Sequence, residues 1–210
     1  MSALAPVLLL LATAMGDPHP AALVGQYDGG QMEVAAGLEL SADGRFRYAL
    51  SYGALDEQAA GSWHADGRRV LLDSDPVKPP HFSFIGQAAA AAGVVRVSLA
   101  VPEGMDPQYF RAVVLLDDGT SVGGQLGGDG LALPLGTGRR PASVTIALPI
   151  FDLVSDPIPV DSAQGFDLSF RFEPNDLGKV DFRSTPLEQQ GGDLTLARHD
   201  RLIRFRRARP

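Results

Sequence analysis

The chain has 210 residues, a formal net charge of −7, 45% hydrophobic residues and no cysteine. The lack of cysteine excludes disulfides, thiolate catalysis, iron–sulfur clusters and zinc sites built on cysteine. An acidic chain lacks the basic surface that a phosphate backbone needs, so we expect no nucleic-acid partner.

The N-terminus has the pattern of an export signal. Residues 4–14, LAPVLLLLATA, are apolar and end in the small-x-small cleavage motif Ala12-Thr13-Ala14. No Lys or Arg precedes this segment, and the alternative is a buried N-terminal strand or helix. We expect residues 1–14 to be a signal peptide and the mature chain to begin near Met15. The protein would then be periplasmic or secreted, and no later apolar run is long enough for a transmembrane segment in the mature chain.

Residues 21–75 are predicted to form an antiparallel β-meander. The sequence Ala-Asp-Gly-Arg occurs twice here, and its Asp43-Gly44 and Asp66-Gly67 are dipeptides typical of tight hairpin turns. Apolar side chains alternate with polar or small ones along residues 45–52, as in a half-buried strand. Residues 56–61, DEQAAG, predict a loop or bulge before the strand that contains Trp63.

Residues 76–210 are predicted to form a β-sandwich, because many short alternating segments are separated by turn residues. The candidate strands after a proline-rich seam at 73–80 and a strand-like HFSFIG are 94–101, 109–116, 131–135, 143–148, 166–172, 179–184, 193–198 and 201–206. The last two should form a hairpin around His199-Asp200 and lie at a sheet edge. Its inward side chains would be Leu194, Leu196, Ile203 and Phe205. The fold class is therefore all-β, a small antiparallel β-meander followed by a β-sandwich.

Two stretches resemble known β families. GQYDGG, LELSADGRFRYALSYG and AGSWHADGRRVLL, in the first third, are similar to repeats of lipocalin-like bacterial envelope proteins. Residues 113–149 resemble a transthyretin-like carboxypeptidase regulatory domain, which is a β-sandwich, and the whole chain resembles secreted bacterial all-β proteins. These resemblances imply a fold, and a fold alone does not define a function.

Candidate catalytic and metal-binding residues lack the context that such chemistry needs. Ser121 lies in a Gly-x-Ser-x-Gly sequence, but the glycine-rich residues after it predict a hairpin and not the helix of a nucleophile elbow. No two histidines have the sequence spacing of metal ligands; His64 and His81 could meet in space, with Asp73 or Asp75 as further ligands. We predict no catalytic residue, no metal and no cofactor. A hydrolase whose acids assemble only in the folded chain remains an alternative.

Two groups of side chains are candidates for binding. The aromatic residues Tyr48, Tyr52 and Trp63 are predicted to share one face of the meander and can line a cup for an apolar ligand, or else form the core. The second group can contact an anionic surface, or else protect a strand edge. Its members are Arg198, Arg201, Arg204, Arg206 and Arg207.

The function expected from these features is that of an exported, non-enzymatic binding or structural module of the cell envelope. The sequence does not identify its partner, for which an envelope protein and a glycan are the candidates. One alternative is a lipocalin-like carrier of a small apolar ligand.

Overall fold

The computed structural model describes residues 21–208, and its first five strands are antiparallel neighbours in chain order. They are β1 (Gly25–Asp28), β2 (Val34–Leu40), β3 (Arg45–Tyr52), β4 (Leu55–Asp66) and β5 (Arg69–Ser74). This confirms the predicted meander. Gly44 and Gly67 have φ of +80° and +59°, a left-handed conformation that glycine adopts more readily than other residues, so glycine is favoured in both predicted turns.

Strand β4 runs through the stretch that was predicted to be a loop. From Leu55 to His64, the residues of this strand alternate strictly between buried and exposed positions. The prediction at 56–61 was wrong because the inward positions there are Glu57, Ala59 and Gly61. An acid and two small residues do not give the apolar alternation by which a half-buried strand is recognised.

Residues 81–173 form an insertion after β5. Its strands are β6 (His81–Ala88), β7 (Val94–Ala100), β8 (Arg111–Leu116), β9 (Ser121–Gln125), β10 (Leu131–Pro134), β11 (Pro141–Leu148), β12 (Leu153–Val154), β13 (Ile158–Pro159) and β14 (Asp167–Glu173). Short 3-10 helices cover Pro107–Tyr109 and Pro149–Phe151. One sheet has the order β10-β7-β14-β6, and the other has the order β12-β11-β8-β9 with β13 on β11.

The two sheets of the insertion share one apolar core. Val97 and Phe170 of the first sheet and Val114 and Ile146 of the second are fully buried in the same cluster. Face-to-face sheets that bury their inner side chains in this way make a β-sandwich. The predicted sandwich is therefore present, with different limits in the chain.

The last three strands return to the first five. Strands β15 (Thr185–Gln190), β16 (Asp193–Arg198) and β17 (Arg201–Arg207) form a meander in which β15 pairs with β5 and β17 with β1. The eight strands thus close into an antiparallel barrel in the order β1-β2-β3-β4-β5-β15-β16-β17. The sandwich predicted at 76–210 therefore extended too far, since its last three strands belong to the barrel. Alternation of apolar and polar residues shows that one face of a strand is buried, but not in which hydrophobic core that face is buried.

The last hairpin was correctly predicted, but its position at a sheet edge was not. His199 and Asp200 have φ of +50° and +55° and form its two-residue turn. The four apolar side chains predicted to face inward are buried in the barrel. Strand β17 is not an edge strand, since it is hydrogen-bonded on both sides, to β16 and to β1.

Residues 179–184 do not form the predicted strand, because they make no ladder and end in a bend at Arg183 and Ser184, where Ser184 has a φ of +45°. They are joined to β4 by one isolated bridge, between Gln58 and Lys179. Val180 and Phe182 are buried in the barrel core, where the Phe182 ring packs edge-on against the ring of Tyr48. The alternation that predicted a strand here arises from these two side chains entering the barrel and not from a ladder.

The predicted signal peptide at 1–14 lies outside the described residues. Within residues 21–208, no helix has the length and apolarity needed to cross a membrane.

Candidate functional site

The interior of the barrel is packed with side chains. Phe46, Trp63 and Phe205 are fully buried, and the ring of Tyr48 lies edge-on to Phe182, with 5.2 Å between the centroids. An eight-stranded barrel is just wide enough for its side chains to fill it or for one small ligand. The aromatic residues fill this one.

The aromatic trio predicted to line a cup is divided by the fold. Tyr48 and Trp63 belong to the barrel core, and the indole Nε1 of Trp63 donates to the carbonyl oxygen of Ser41 at 3.0 Å. Tyr52, at the end of β3, is 39% exposed at the rim of the barrel. Neither Tyr52 nor Trp63 lines either of the two cavities described below.

A buried carboxylate lies just inside the same rim. Glu57 accepts from both sides of the Arg198 guanidinium, from Nε to Oε2 at 2.9 Å and from NH2 to Oε1 at 2.6 Å. The ring Nε2 of His199 lies 2.9 Å from Oε1, and the Tyr48 hydroxyl lies 3.5 Å from Oε2. The tight turn after β16 places His199 beside this carboxylate.

The electrostatics of this cluster keep Glu57 ionised. Burial by itself raises the pKa of Glu57, but the hydrogen bonds and charge of Arg198, with help from His199, lower it below 4.5. Burial and the Glu57 charge raise the pKa of Tyr48. A general acid requires a raised carboxyl pKa, so this cluster has the properties of an internal ion pair that holds the barrel together.

Most arginines of the predicted cluster make contacts with other residues of the barrel. Arg201 stacks on the Tyr52 ring, with its guanidinium carbon 4.8 Å from the centroid, and Arg204 pairs with Asp193 at 2.8 Å. Arg207 donates to the carbonyl oxygens of Ala22 and Val24. Arg206 is exposed on the outside of β17. Four of the five arginines, counting Arg198, therefore make contacts within the chain.

A groove with a volume of about 640 Å³ lies on the outside of the barrel. It crosses β1, β2, β3 and β4, and we call it the outer groove. Its floor is formed by outward-facing Gly37, Ala49 and Ala60. A second cavity of about 370 Å³ adjoins it and shares Gly37 and Ala49.

The outer groove exists because small residues lie between taller walls. A Cβ added to Gly37 would meet no atom within 4 Å, so the space above this residue is open. The far wall is made by Pro76 and Val77, which leave the barrel, and by Lys179, which returns to it. The two connections between barrel and sandwich thus turn a surface that is normally convex into a concave one.

Polar side chains surround the floor of the outer groove. The NH1 and NH2 groups of Arg45 donate to Oδ1 and Oδ2 of Asp75, at 3.0 and 2.5 Å. Lys179 pairs with Asp176 at 2.7 Å. Arg47 has only Glu39 nearby, at 4.0 Å, and its side chain is 83% exposed. Among these cations, Arg47 is the most available to a ligand.

The candidate nucleophile and metal ligands are not assembled into a site. Ser121 begins strand β9, where a nucleophile elbow would require a helix. Across residues 21–208, no group of three or more His, Asp or Glu side chains is placed to hold a metal ion. Glu57 is the only buried charged residue of that range, so it has no second buried acid beside it.

Sequence reasoning missed both the outer groove and the Glu57 cluster. The groove floor consists of small residues at outward positions, which carry no periodic signal. Glu57 does carry a signal, because it shares the inward parity of Leu55, Ala59 and Trp63 in β4. An acid at an inward position indicates a buried charge that needs a partner.

Comparison of this chain with family models, with curated proteins and with solved structures found no match in any of the three.

Proposed function

We propose that this protein is a non-enzymatic binding module of the bacterial cell envelope, and that the outer groove is its binding site. The observation that carries the proposal is a concave surface of about 640 Å³ on the outside of a closed barrel. Ligand pockets usually have volumes of about 300–1,000 Å³ and are largely formed before the ligand arrives. The strands below the groove are paired on both sides, which makes its floor rigid.

The same geometry does not favour the two alternatives. A lipocalin-like carrier holds its ligand inside the barrel, a space that Phe46, Trp63 and Phe205 occupy here. A hydrolase with paired acids requires two carboxyl groups that face one substrate. Glu57 is instead engaged by Arg198 and His199.

The proposed location in the envelope depends on residues 1–14 of the sequence. Export would remove them after Ala14. Mass spectrometry of the protein from its native host should show a chain that begins near Met15 in the exported fraction. An intact Met1 in the cytosol would contradict this part of the proposal.

A pair of glycine substitutions tests the binding site. Gly37→Leu places an apolar side chain in the outer groove, and its Cβ meets no atom within 4 Å. Gly86→Leu is the matched control, since Gly86 lies in β6 of the sandwich and has the same free space. Native mass spectrometry of protein purified from the host should find a bound species on the wild type and on Gly86→Leu but not on Gly37→Leu. Equal retention by both variants would overturn the groove as the site.

A further inference from the structure

The ligand of the outer groove has to be recognised by side chains. The backbone groups of β1, β2, β3 and β4 are already paired with one another, and beyond β4 the backbone of Gln58 pairs with that of Gly178 and Val180. A ligand cannot therefore join this sheet as an additional strand, since that requires a free edge. It must lie across the strands and use the outward side chains.

The length of the groove suits a short extended chain. From Gln26 on β1 to Lys179 beyond β4 there are four steps between neighbouring backbones. At roughly 4.8 Å per step the groove is about 19 Å long, which an extended peptide spans with about six residues. The floor of Gly37, Ala49 and Ala60 allows such a chain to approach the sheet closely.

Side-chain amides stand near both ends of the floor. Gln26 and Gln58 both line the groove and are exposed. A glutamine amide carries two N–H donors and an acceptor oxygen. Each can therefore hydrogen-bond both the N–H and the C=O of a peptide group, which is the complementarity that an extended backbone needs.

The most exposed charge that lines the groove is the guanidinium of Arg47, and the carboxylate of Glu39, which also lines the groove, is only 38% exposed. Asp75 is neutralised by the two-pronged contact from Arg45, and Lys179 by Asp176. Arg47 remains 83% exposed, with its nearest acid, Glu39, at 4.0 Å. A guanidinium presents several N–H donors in a plane, which matches a carboxylate. An acidic side chain in the middle of the ligand would complete this contact.

The groove lacks what a sugar ring needs. Sugar rings commonly pack their C–H face against an exposed aromatic ring, but the two tyrosines that border the groove, Tyr27 and Tyr48, are buried. The rest of the lining is aliphatic or polar.

We infer that the outer groove binds an extended peptide segment of about six residues with an acidic side chain that pairs with Arg47. This inference rests on the proposed function, since it names the class of ligand for the same groove. In an envelope protein such a segment would come from an exposed loop or a terminus, where the backbone is free to lie across the strands.

A peptide library tests the inference directly. Random dodecapeptides displayed on phage would be selected on the full wild-type protein, with Gly37→Leu used to remove phage that bind elsewhere. We expect the selected sequences to share at least one Asp or Glu. A synthetic copy of a selected peptide would then be titrated by fluorescence anisotropy against the wild type and four variants.

Matched variants define the expected titration results. Binding should weaken at least tenfold in Gly37→Leu and about fivefold in Arg47→Gln, and Arg47→Gln should also reduce its dependence on salt. Gly86→Leu and Arg68→Gln, whose side chains lie away from the groove, should bind like the wild type. Selected peptides that lack acids, or that bind Arg47→Gln as well as the wild type, would overturn the inference.

A glycan array separates this inference from the proposed function. A glycan that binds the wild type and Gly86→Leu but not Gly37→Leu would keep the groove as a binding site and would overturn the peptide as its ligand. If neither the peptide library nor the array yields a ligand that Gly37→Leu loses, both the inference and the proposed function are wrong.

Discussion

Arg198 holds both carboxylate oxygens of Glu57 from a position 141 residues away in the sequence. The pair joins β4 to the end of β16, and therefore the first five strands of the barrel to its last three. Since the insertion separates these two groups of strands in the chain, the contact stabilises a closure that local sequence cannot enforce.

Arg198→Met should lower the free energy of unfolding by about 3 kcal/mol, the low end of the usual cost of breaking a buried ion pair, because the Arg198 side chain is 29% exposed. Without Arg198, the Glu57 carboxylate, which is only 7% exposed, keeps only the His199 ring and the Tyr48 hydroxyl as partners, and a buried charge that loses its main partner is costly. Urea denaturation at neutral pH measures the change. The control is Arg206→Met on the outer face of β17, which should have little effect.

The double variant Glu57→Gln/Arg198→Met should recover part of the loss, because it removes both charges together. A double variant that is less stable than Arg198→Met alone would contradict the view that an uncompensated carboxylate causes the damage.

Stability should depend on pH through Glu57. Its pKa is lower in the folded chain than the usual 4.5, so the carboxylate form is favoured by folding. The stabilisation is fully present above pH 4.5 and is lost as the pH falls through the folded pKa. The urea midpoints of the wild type and Glu57→Gln should therefore converge as the pH is lowered from 6 to 3. A difference that stays constant over this range would contradict the expected linkage.

The sequence predicted strands and turns well but not the partners of the strands. The hairpins at Gly44 and at His199-Asp200 are set by local backbone geometry, which a few residues determine. Phe205 is buried in the barrel core and not in the sandwich core because β17 pairs with β1. This pairing joins the two ends of the described chain. Alternation within β17 is the same for an edge strand as for a strand that closes a barrel.

The outer groove could not be predicted because its parts carry no common signal. Gly37 and Ala49 are small residues on the outward side of their strands, a position that most side chains tolerate. Its far wall combines Val77 with Lys179, which lie far apart in the sequence. Only the closed barrel with its insertion brings these residues together.

Phe205→Ala should destabilise the protein far more than Arg206→Ala. Phe205 is fully buried, and its ring lies 6.3 Å from that of Tyr48 in the barrel core. Loss of a buried phenylalanine costs about 3–5 kcal/mol, whereas Arg206 lies on the solvated face of the same strand. Thermal melting of both variants in one buffer makes the comparison.

Deletion of residues 201–210 should abolish folding, because β17 is hydrogen-bonded to both β1 and β16. A deletion variant with unchanged stability would show that the last strand is not needed to close the barrel.

Gly61→Ala and Gly37→Ala should have opposite effects although both glycines lie in strands with ordinary φ. A Cβ on Gly61 would lie 2.0 Å from the carbonyl oxygen of Asp73 and 2.7 Å from the Cα of Ser74. Backbone atoms of the neighbouring strand cannot move aside as the end of a side chain can, so β4 and β5 would have to separate. We expect Gly61→Ala to lose about 1–3 kcal/mol, the usual range for overpacking. Gly37→Ala adds its methyl group to open space and reduces the freedom of the unfolded chain, so it should gain about 0.5 kcal/mol. Chemical denaturation of the two variants beside the wild type measures both changes in the free energy of unfolding. Equal midpoints for the two alanine variants would show that strands β4 and β5 are not as close at Gly61 as the structure places them.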